Sequence, residues 1–284
     1  MMKRYYCFAG LEFQIEIPEA CAYTQERNLA SFRVESVKDP HRFICDHAEK
    51  LTEPEGTPYV NQPNFSLYTT SEGHIRYIGS PDAYVRAEHR GKLHVVQVKK
   101  NPFADKISIK TVLESMEIEH LIARNHGFVF HCSYIDRNGK AILFTAPSGT
   151  GKSTQADLWA KYRGAEIING DRAAVRLADG QLLAEGIPFA GSSEYCKNRS
   201  LPIGAIVYLA QAPVTTVRRL RGYQAFSKIW EGVSINIWDR EDMELVSGVV
   251  QKVAEQIPIF HMPCTPDEAA VIALEDALRK QEIL

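Results

Sequence analysis

A short stretch from Ala146 to Thr154 has the residue types and spacing needed to bind a nucleotide phosphate. Its glycines allow backbone N–H groups to turn toward phosphate oxygens, and a following helix would present its positive end to the same anion. Lys152 is expected to reach the β- and γ-phosphates, and the Ser153 hydroxyl to ligate Mg²⁺. The predicted phosphate-binding residues are Ser148, Gly149, Thr150, Gly151, Lys152, Ser153 and Thr154.

One position departs from the strict phosphate-loop pattern, which opens with glycine where this chain has Ala146. The alternative is an ordinary strand–turn–helix joint that happens to carry Gly-Lys-Ser. The flanking sequence favours the phosphate loop, because an apolar run over 141–144 precedes it and residues 155–160 continue with helical spacing.

A phosphate loop needs a carboxylate nearby, and Asp171 is the best candidate. It follows a short apolar strand over 165–168, which would place it at the sheet edge beside the loop. There it could complete the Mg²⁺ ligands with Ser153 or accept a proton from an attacking hydroxyl. The alternative is a turn aspartate in the favourable turn sequence Asn169-Gly170-Asp171.

His131 lies in the strand before the loop strand, and a turn over 137–139 pairs the two. Counting back across that hairpin places it near the loop, where it could act as a general base or hold a phosphate oxygen. Taken alone, the residues favour a packed histidine. Lys197 and Arg199 are weaker candidates for contact with phosphate or an acidic substrate.

The order of elements predicts an α/β fold with an α+β tendency, in which a P-loop-containing mixed sheet has flanking helices. Residues 1–103 are predicted to form a β-rich antiparallel region, with strands at 8–17, 30–34, 65–70, 74–78, 83–87 and 92–98. Residues 104–284 form the predicted nucleotide-binding domain, with helices at 109–124, 239–256 and 265–280. The last helix is predicted to start at a capping box over 265–268.

Composition predicts a soluble cytoplasmic protein. Among 284 residues, 45% are hydrophobic and 24% charged, and the net charge of −2 gives no basic footprint for nucleic acid. No apolar stretch is long enough to span a membrane, and the six separated cysteines are typical of reduced thiols. The oligomeric state stays open, a homo-oligomer included.

Several sequence blocks resemble the catalytic domain of the HPr kinase/phosphorylase family, and more closely the small phosphoenolpyruvate carboxykinase-like kinases that share this domain. The resemblance covers about residues 108 to 275. Its blocks are 130–132, 146–154, 169–172, 186–191, 201–209 and 262–268.

This resemblance implies an ATP- and Mg²⁺-dependent kinase that phosphorylates a serine or similar hydroxyl of a protein or peptide. It implies a site role for His131, since a family histidine precedes the loop at about this spacing. The family carries an Asp-Asp pair where this chain has Gly170-Asp171, so only the second aspartate is present. Residues 1–100 do not resemble the N-terminal domain of the carrier-protein kinases.

Two alternatives remain at this point. The missing first aspartate favours a non-catalytic, nucleotide-responsive binding module. A phosphoenolpyruvate carboxykinase-like enzyme is the weaker alternative, because no set of metal-ligating histidine and lysine can be placed around Asp171.

Overall fold

The computed structural model describes residues 1–21, 28–79, 82–100, 107–191, 193 and 195–284. The chain divides into two compact units, Met1–Ile118 and Glu119–Leu284. The boundary predicted between residues 103 and 104 lies outside the described residues.

The first unit is a mixed β-sheet in which the described strands run in the order β3-β1-β2-β4-β9-β8-β7-β6-β5. The strands are β1 (Met2–Phe8), β2 (Leu11–Ile17), β3 (Arg33–Val34), β4 (His41–Ala48), β5 (Val60–Gln62), β6 (Phe65–Thr69), β7 (His74–Ile78), β8 (Val85–Arg90) and β9 (Leu93–Lys99). Helix α1 (Ile109–Glu114) follows these strands in the chain. Single 3₁₀ turns lie at Glu19–Cys21 and Ala30–Phe32.

The prediction of a purely antiparallel N-terminal sheet is wrong. Strand β4 pairs in parallel with both β2 and β9, whereas the hairpins β6–β7 and β8–β9 are antiparallel as predicted. The sequence analysis missed β4, in which Phe43 and Cys45 are buried and the flanking residues Arg42 and Asp46 are charged and exposed. The predicted strand over 30–34 is mostly a 3₁₀ turn, since Phe32 turns into the core and its ring contacts Phe8 edge to face.

The second unit combines a mixed sheet with helices on both faces. Its strands are β10 (Gly127–Arg137), β11 (Lys140–Thr145), β12 (Glu166–Asn169), β13 (Arg172–Ala178), β14 (Gln181–Gly186), β15 (Ser200–Gln211), β16 (Arg218–Leu220), β17 (Val233–Ser234) and β18 (Ile259–Cys264). Helix α2 (Ile118–Arg124) spans the division between the units. The remaining helices are α3 (Lys152–Arg163), α4 (Gly222–Trp230), α5 (Arg240–Gln256) and α6 (Glu268–Arg279).

The main path of this sheet is β11-β10-β13-β14-β15-β18-β16 in the described residues, and β11 also pairs in parallel with β15. The predicted mixed α/β class is therefore confirmed. Alternate residues of β11 enter two cores: Leu143 packs toward α4 and α5, and Phe144 packs toward α3 and α6. A strand covered on both faces is apolar throughout, which explains the continuous run before the glycine loop.

Strand β10 changes partners at the point where His131 lies. Residues 127–131 pair with β13, whereas residues 132–137 pair with β11. The backbone N–H of His131 donates to Gly232 O at 2.8 Å, and that of Cys132 donates to Asp171 O at 3.0 Å. The strand thus joins the loop-bearing part of the sheet to the part that carries the Asp171 turn.

Two predicted helix boundaries are wrong. The helix over 109–124 is interrupted after α1, where Glu117 has a φ of +50° that no helix interior accepts. The last helix starts at Glu268 rather than near Thr265, with the Asp267 carboxylate accepting from Ala270 N at 3.4 Å. The Thr265 hydroxyl is instead a partner of the Asp267 carboxylate, at 2.9 Å. No described helix is long and apolar enough to cross a membrane.

Candidate nucleotide-binding site

The glycine loop between β11 and α3 has the backbone that a phosphate cradle requires. Gly149 has a φ of +76° and Gly151 a φ of +114°, a region in which side-chain-bearing residues are strained. Helix α3 begins directly after Gly151, so its unpaired N–H groups and positive dipole face the loop. Glycine is therefore required at both positions by the turn itself.

Lys152 lies in the first turn of α3 and is 8% exposed. Its ammonium donates to Ala146 O at 3.1 Å, which places the charge beneath the loop. Burial lowers the pKa of Lys152, and the neighbouring Asp171 carboxylate opposes that shift. Among the described residues its hydrogen-bond partners are the backbone carbonyls of Ala146 and Pro147. A buried ammonium gains more from a phosphate oxygen than an exposed one would, because water competes less.

The turn that carries Asp171 is fixed by Asn169, which is fully buried. Its side-chain oxygen accepts from the backbone N–H groups of Asp171 at 2.9 Å and Arg172 at 3.0 Å. Its amide donates to Ile187 O at 3.1 Å and Phe189 O at 3.2 Å. Sequence reasoning named only the turn composition here and missed Asn169 as the residue that positions the carboxylate.

Asp171 and His131 lie side by side. The Asp171 Oδ1 and His131 Nε2 atoms are 3.4 Å apart, and Asp171 Oδ2 is 3.2 Å from the Arg172 Nε atom. The hydrogen bond from His131 lowers the pKa of Asp171, and burial works against it. The carboxylate is therefore ionised at neutral pH while about a quarter of its side chain, 27%, stays exposed.

Ser153 contacts the same turn. Its hydroxyl donates to Gly170 O at 3.4 Å, and that carbonyl also accepts from Ser133 Oγ at 3.0 Å. The predicted site residues His131, Ser153 and Asp171 thus come from β10, α3 and the turn after β12 and meet in one place. Ser133 is a further contact of this turn that the sequence analysis missed.

Gly170 has no room for a side chain. A Cβ built on Gly170 would lie 2.2 Å from Ser193 Oγ and 2.7 Å from Ser193 Cβ. Gly191 closes on the other side of the turn, because a Cβ there would lie 2.9 Å from the Asp171 carboxyl carbon. The absence of a first carboxylate is therefore built into the packing of this turn and is not a lone surface change.

Substitution of Gly170 by alanine is expected to destabilise the protein by about 1–3 kcal/mol through overpacking against Ser193. The second substitution Ser193→Gly removes both clashing atoms, so the double variant should recover most of that loss. Chemical denaturation of the two single variants and the double variant measures the coupling. If the losses of unfolding free energy in the two single variants add up in the double variant, Ser193 is not what excludes a side chain at position 170.

Two clefts border this site. One of about 560 Å³ lies along the loop between Thr154, Gln211 and Pro266. The other, of about 300 Å³, is lined by residues that include Ser153, Asp157, Asp171 and Tyr195. The ionised Asp171 carboxylate thus lines a cleft that shares no lining residue with the larger one along the loop.

The basic residues considered from the sequence are placed elsewhere. Lys197 Nζ pairs with Glu166 at 2.8 Å, and the Arg199 guanidinium pairs with Asp136 at 3.0 Å. In the described part of the chain these two side chains therefore pair with other carboxylates, whereas Arg172, which the sequence analysis did not single out, contacts Asp171.

No protein-family model matches the chain, and no curated protein matches it. Among solved structures, it is similar to the HPr(Ser) kinase/phosphatase from Coxiella burnetii, with a TM-score of 0.35 and 12% sequence identity. That similarity covers 54% of this chain and 98% of the other.

Proposed function

We propose that this chain is an ATP- and Mg²⁺-dependent kinase that transfers the γ-phosphoryl group to a serine or similar hydroxyl of a protein or peptide. The observation that carries the proposal is the meeting of Ser153, Asp171 and His131 beside a glycine loop that covers a buried lysine. These are the groups that phosphoryl transfer uses to hold phosphate, to orient a cation and to accept a proton.

The loop and Lys152 would bind the phosphates. Backbone N–H groups from Gly149 to Ser153 supply neutral donors, and the Lys152 ammonium adds one positive charge beneath them. Such donors are fixed before the nucleotide arrives, so they stabilise charge on the γ-phosphoryl group without reorganising. The Ala146 that replaces the usual glycine contributes its carbonyl to Lys152 and contacts the core, so its methyl group is accommodated.

Ser153 and Asp171 fit a magnesium ion by their chemistry. A hydroxyl and an ionised carboxylate are hard oxygen donors, the ligand type that Mg²⁺ takes from proteins alongside water and phosphate oxygens. When bound, the ion would neutralise charge on the phosphate oxygens. Asp171 need not lose a proton to bind the ion, because its lowered pKa keeps the carboxylate ionised at neutral pH.

Asp171 and His131 would handle the acceptor hydroxyl. With Gly170 in place of a carboxylate, the Asp171–His131 pair is the available proton acceptor among the residues described at this turn. His131 is 36% exposed and lies at 3.4 Å from Asp171, so it can orient the carboxylate or take the proton onward. The acceptor would enter by the cleft of about 300 Å³ that Asp171 and Tyr195 line.

Single-turnover assays with γ-labelled ATP, excess protein and a pool of serine-containing peptides test the proposal. We expect Mg²⁺-dependent binding in calorimetry and movement of the label onto the peptides or onto the protein itself. Tight binding with neither transfer nor hydrolysis would reject the kinase and favour a nucleotide-responsive binding module, the candidate that Gly170 favours.

A further inference from the structure

The N-terminal unit contains a buried group of side chains that the proposed kinase site does not use. His74 opens β7 and His89 lies in β8, and the two residues are direct partners across the hairpin. Glu117, from the segment after α1, brings its carboxylate to the same place. His74, His89 and Glu117 are called the histidine cluster below.

The potential ligand atoms of the histidine cluster converge on one carboxylate oxygen, to which His74 is hydrogen-bonded. Glu117 Oε2 lies 2.6 Å from His74 Nε2 and 3.8 Å from His89 Nε2. One ligand atom from each of the three residues lies within 4.8 Å of the others. In a tetrahedral zinc site with bonds of about 2.0–2.1 Å, neighbouring ligand atoms lie about 3.3 Å apart, between the two measured separations. We propose that the histidine cluster binds one Zn²⁺ ion.

Burial decides what kind of site this is. The Glu117 and His89 side chains are 6% and 7% exposed, whereas His74 is 24% exposed. Solvent therefore reaches the cluster on the His74 side, which leaves room for one water as a fourth ligand. Two histidines, one glutamate and a water make a zinc site of the open type.

Arg76 fixes how the carboxylate would bind. Its guanidinium lies 3.5 Å from Glu117 Oε1, so the other oxygen, Oε2, is the one that faces both histidines. Carboxylate oxygen and imidazole nitrogen are both ligand types that Zn²⁺ takes from proteins.

A second layer of histidines supports the ligand His89. Its Nδ1 atom lies 2.8 Å from His94 Nδ1, and His94 Nε2 lies 3.1 Å from His41 Nδ1. Each of these two contacts needs one donor and one acceptor. The ring protons of His89, His94 and His41 can therefore be arranged in only two ways, with all the hydrogen bonds pointing in one direction or all in the other. Zinc on His89 Nε2 selects the sense in which His89 Nδ1–H donates to His94, the outer bond that metal-binding histidines usually make.

His94 is held in position for that role. It is 2% exposed, and its ring stacks on Phe43 with 4.2 Å between centroids. Glu117, for its part, adopts a left-handed backbone with a φ of +50°, which ends the helical path and brings its carboxylate to the two histidines. Both features order the cluster before any ion binds.

A second group of histidine and carboxylates, in the other unit, differs because an arginine already contacts its carboxylates. His120, Asp239 and Asp242 also lie close together. There, however, Arg124 Nη2 lies 3.5 Å from Asp239 Oδ2, the same oxygen that faces His120 Nδ1 at 3.7 Å. Zinc would have to displace a guanidinium, so we assign no site to that group.

The test is a Zn²⁺ titration of the full chain after chelator treatment, with a chromophoric chelator as competitor. We expect one equivalent of zinc per chain at submicromolar affinity. The variants His74→Ala and Glu117→Gln should each weaken binding at least about 100-fold, beyond the 10–100-fold that outer partners cost. The matched control is His47→Ala, a partly buried histidine on β4 outside the cluster. Zinc binding that is equal in wild type and His74→Ala, or equally weakened by His47→Ala, would overturn the proposal.

Folding is checked separately, by circular dichroism and thermal unfolding of each variant without metal. Should Glu117→Gln fail to fold, His74→Ala still decides, because its side chain is partly exposed. Co²⁺ added to the wild type gives an independent readout, since a four-coordinate site of nitrogen and oxygen ligands produces visible absorption that zinc then abolishes. Absence of that absorption at one equivalent would also overturn the site.

Discussion

The variant Asp171→Asn is expected to lose phosphoryl transfer by about 10²- to 10⁴-fold, the range over which a positioned proton acceptor acts. Asparagine keeps the shape of the side chain, but it carries no charge and accepts no proton. The larger loss should fall on kcat rather than on nucleotide affinity, because the loop and Lys152 remain intact. Single-turnover transfer from labelled ATP measures it.

The matched control for that experiment is Asp157→Asn. Asp157 lines the same cleft from α3 but is not a partner of His131 or Arg172 in the contacts of the Asp171 turn. Loss of the Asp157 carboxylate should change the rate of phosphoryl transfer less than about threefold. Equal activities of wild type and Asp171→Asn would remove Asp171 from the proposed mechanism.

The same carboxylate gives a pH signature. The His131 hydrogen bond lowers the pKa of Asp171 in the folded state. Its contacts therefore contribute stability above the ordinary carboxyl pKa, and this contribution is lost as the pH falls through the lower folded value. The stability difference between wild type and Asp171→Asn should accordingly shrink in strongly acidic solution.

The second large effect is expected for Lys152→Ala, which should abolish thermal stabilisation by ATP and Mg²⁺. At a nucleotide concentration 100-fold above Kd, the wild type should gain about 2.7 kcal/mol, and the variant should gain almost none. Without nucleotide the variant should unfold at nearly the wild-type temperature, because the lost ammonium is desolvated and has only carbonyl partners. Differential scanning fluorimetry with and without nucleotide measures both quantities.

Lys161→Ala is the control for charge removal from the same helix. Lys161 is exposed in the last turn of α3, so it should leave nucleotide stabilisation unchanged. Equal nucleotide stabilisation of wild type and Lys152→Ala would reject the phosphate assignment of the loop.

Local patterns allowed much of the second unit to be predicted. The apolar run of β11, the two glycines and the helix that follows are consecutive in the chain, so a short segment of sequence is enough to predict the loop. His131 could be placed by counting across a tight hairpin, and the register pairs its neighbour Cys132 with Thr145 at the loop end. Short-range geometry was sufficient for both.

Long-range contacts account for what could not be predicted. The local sequence does not reveal that β4 inserts in parallel between β2 and β9. It does not reveal either that Glu117 leaves helical geometry and faces two histidines of the β7–β8 hairpin. Ser193 lies more than twenty residues after Gly170, so the sequence could report the missing aspartate but not the side chain that excludes it. The buried role of Asn169 was hidden for the same reason.

The closeness of residue 170 to Ser193 has a consequence for how such a site can change by mutation. An aspartate at position 170 meets a clash while Ser193 is present, whereas loss of the Ser193 side chain first opens the space without strain. The two positions are therefore epistatic, and the change at Ser193 has to come before the change at Gly170. A directed-evolution library that varies residue 170 alone would discard the carboxylate, and one that varies both positions together could retain it.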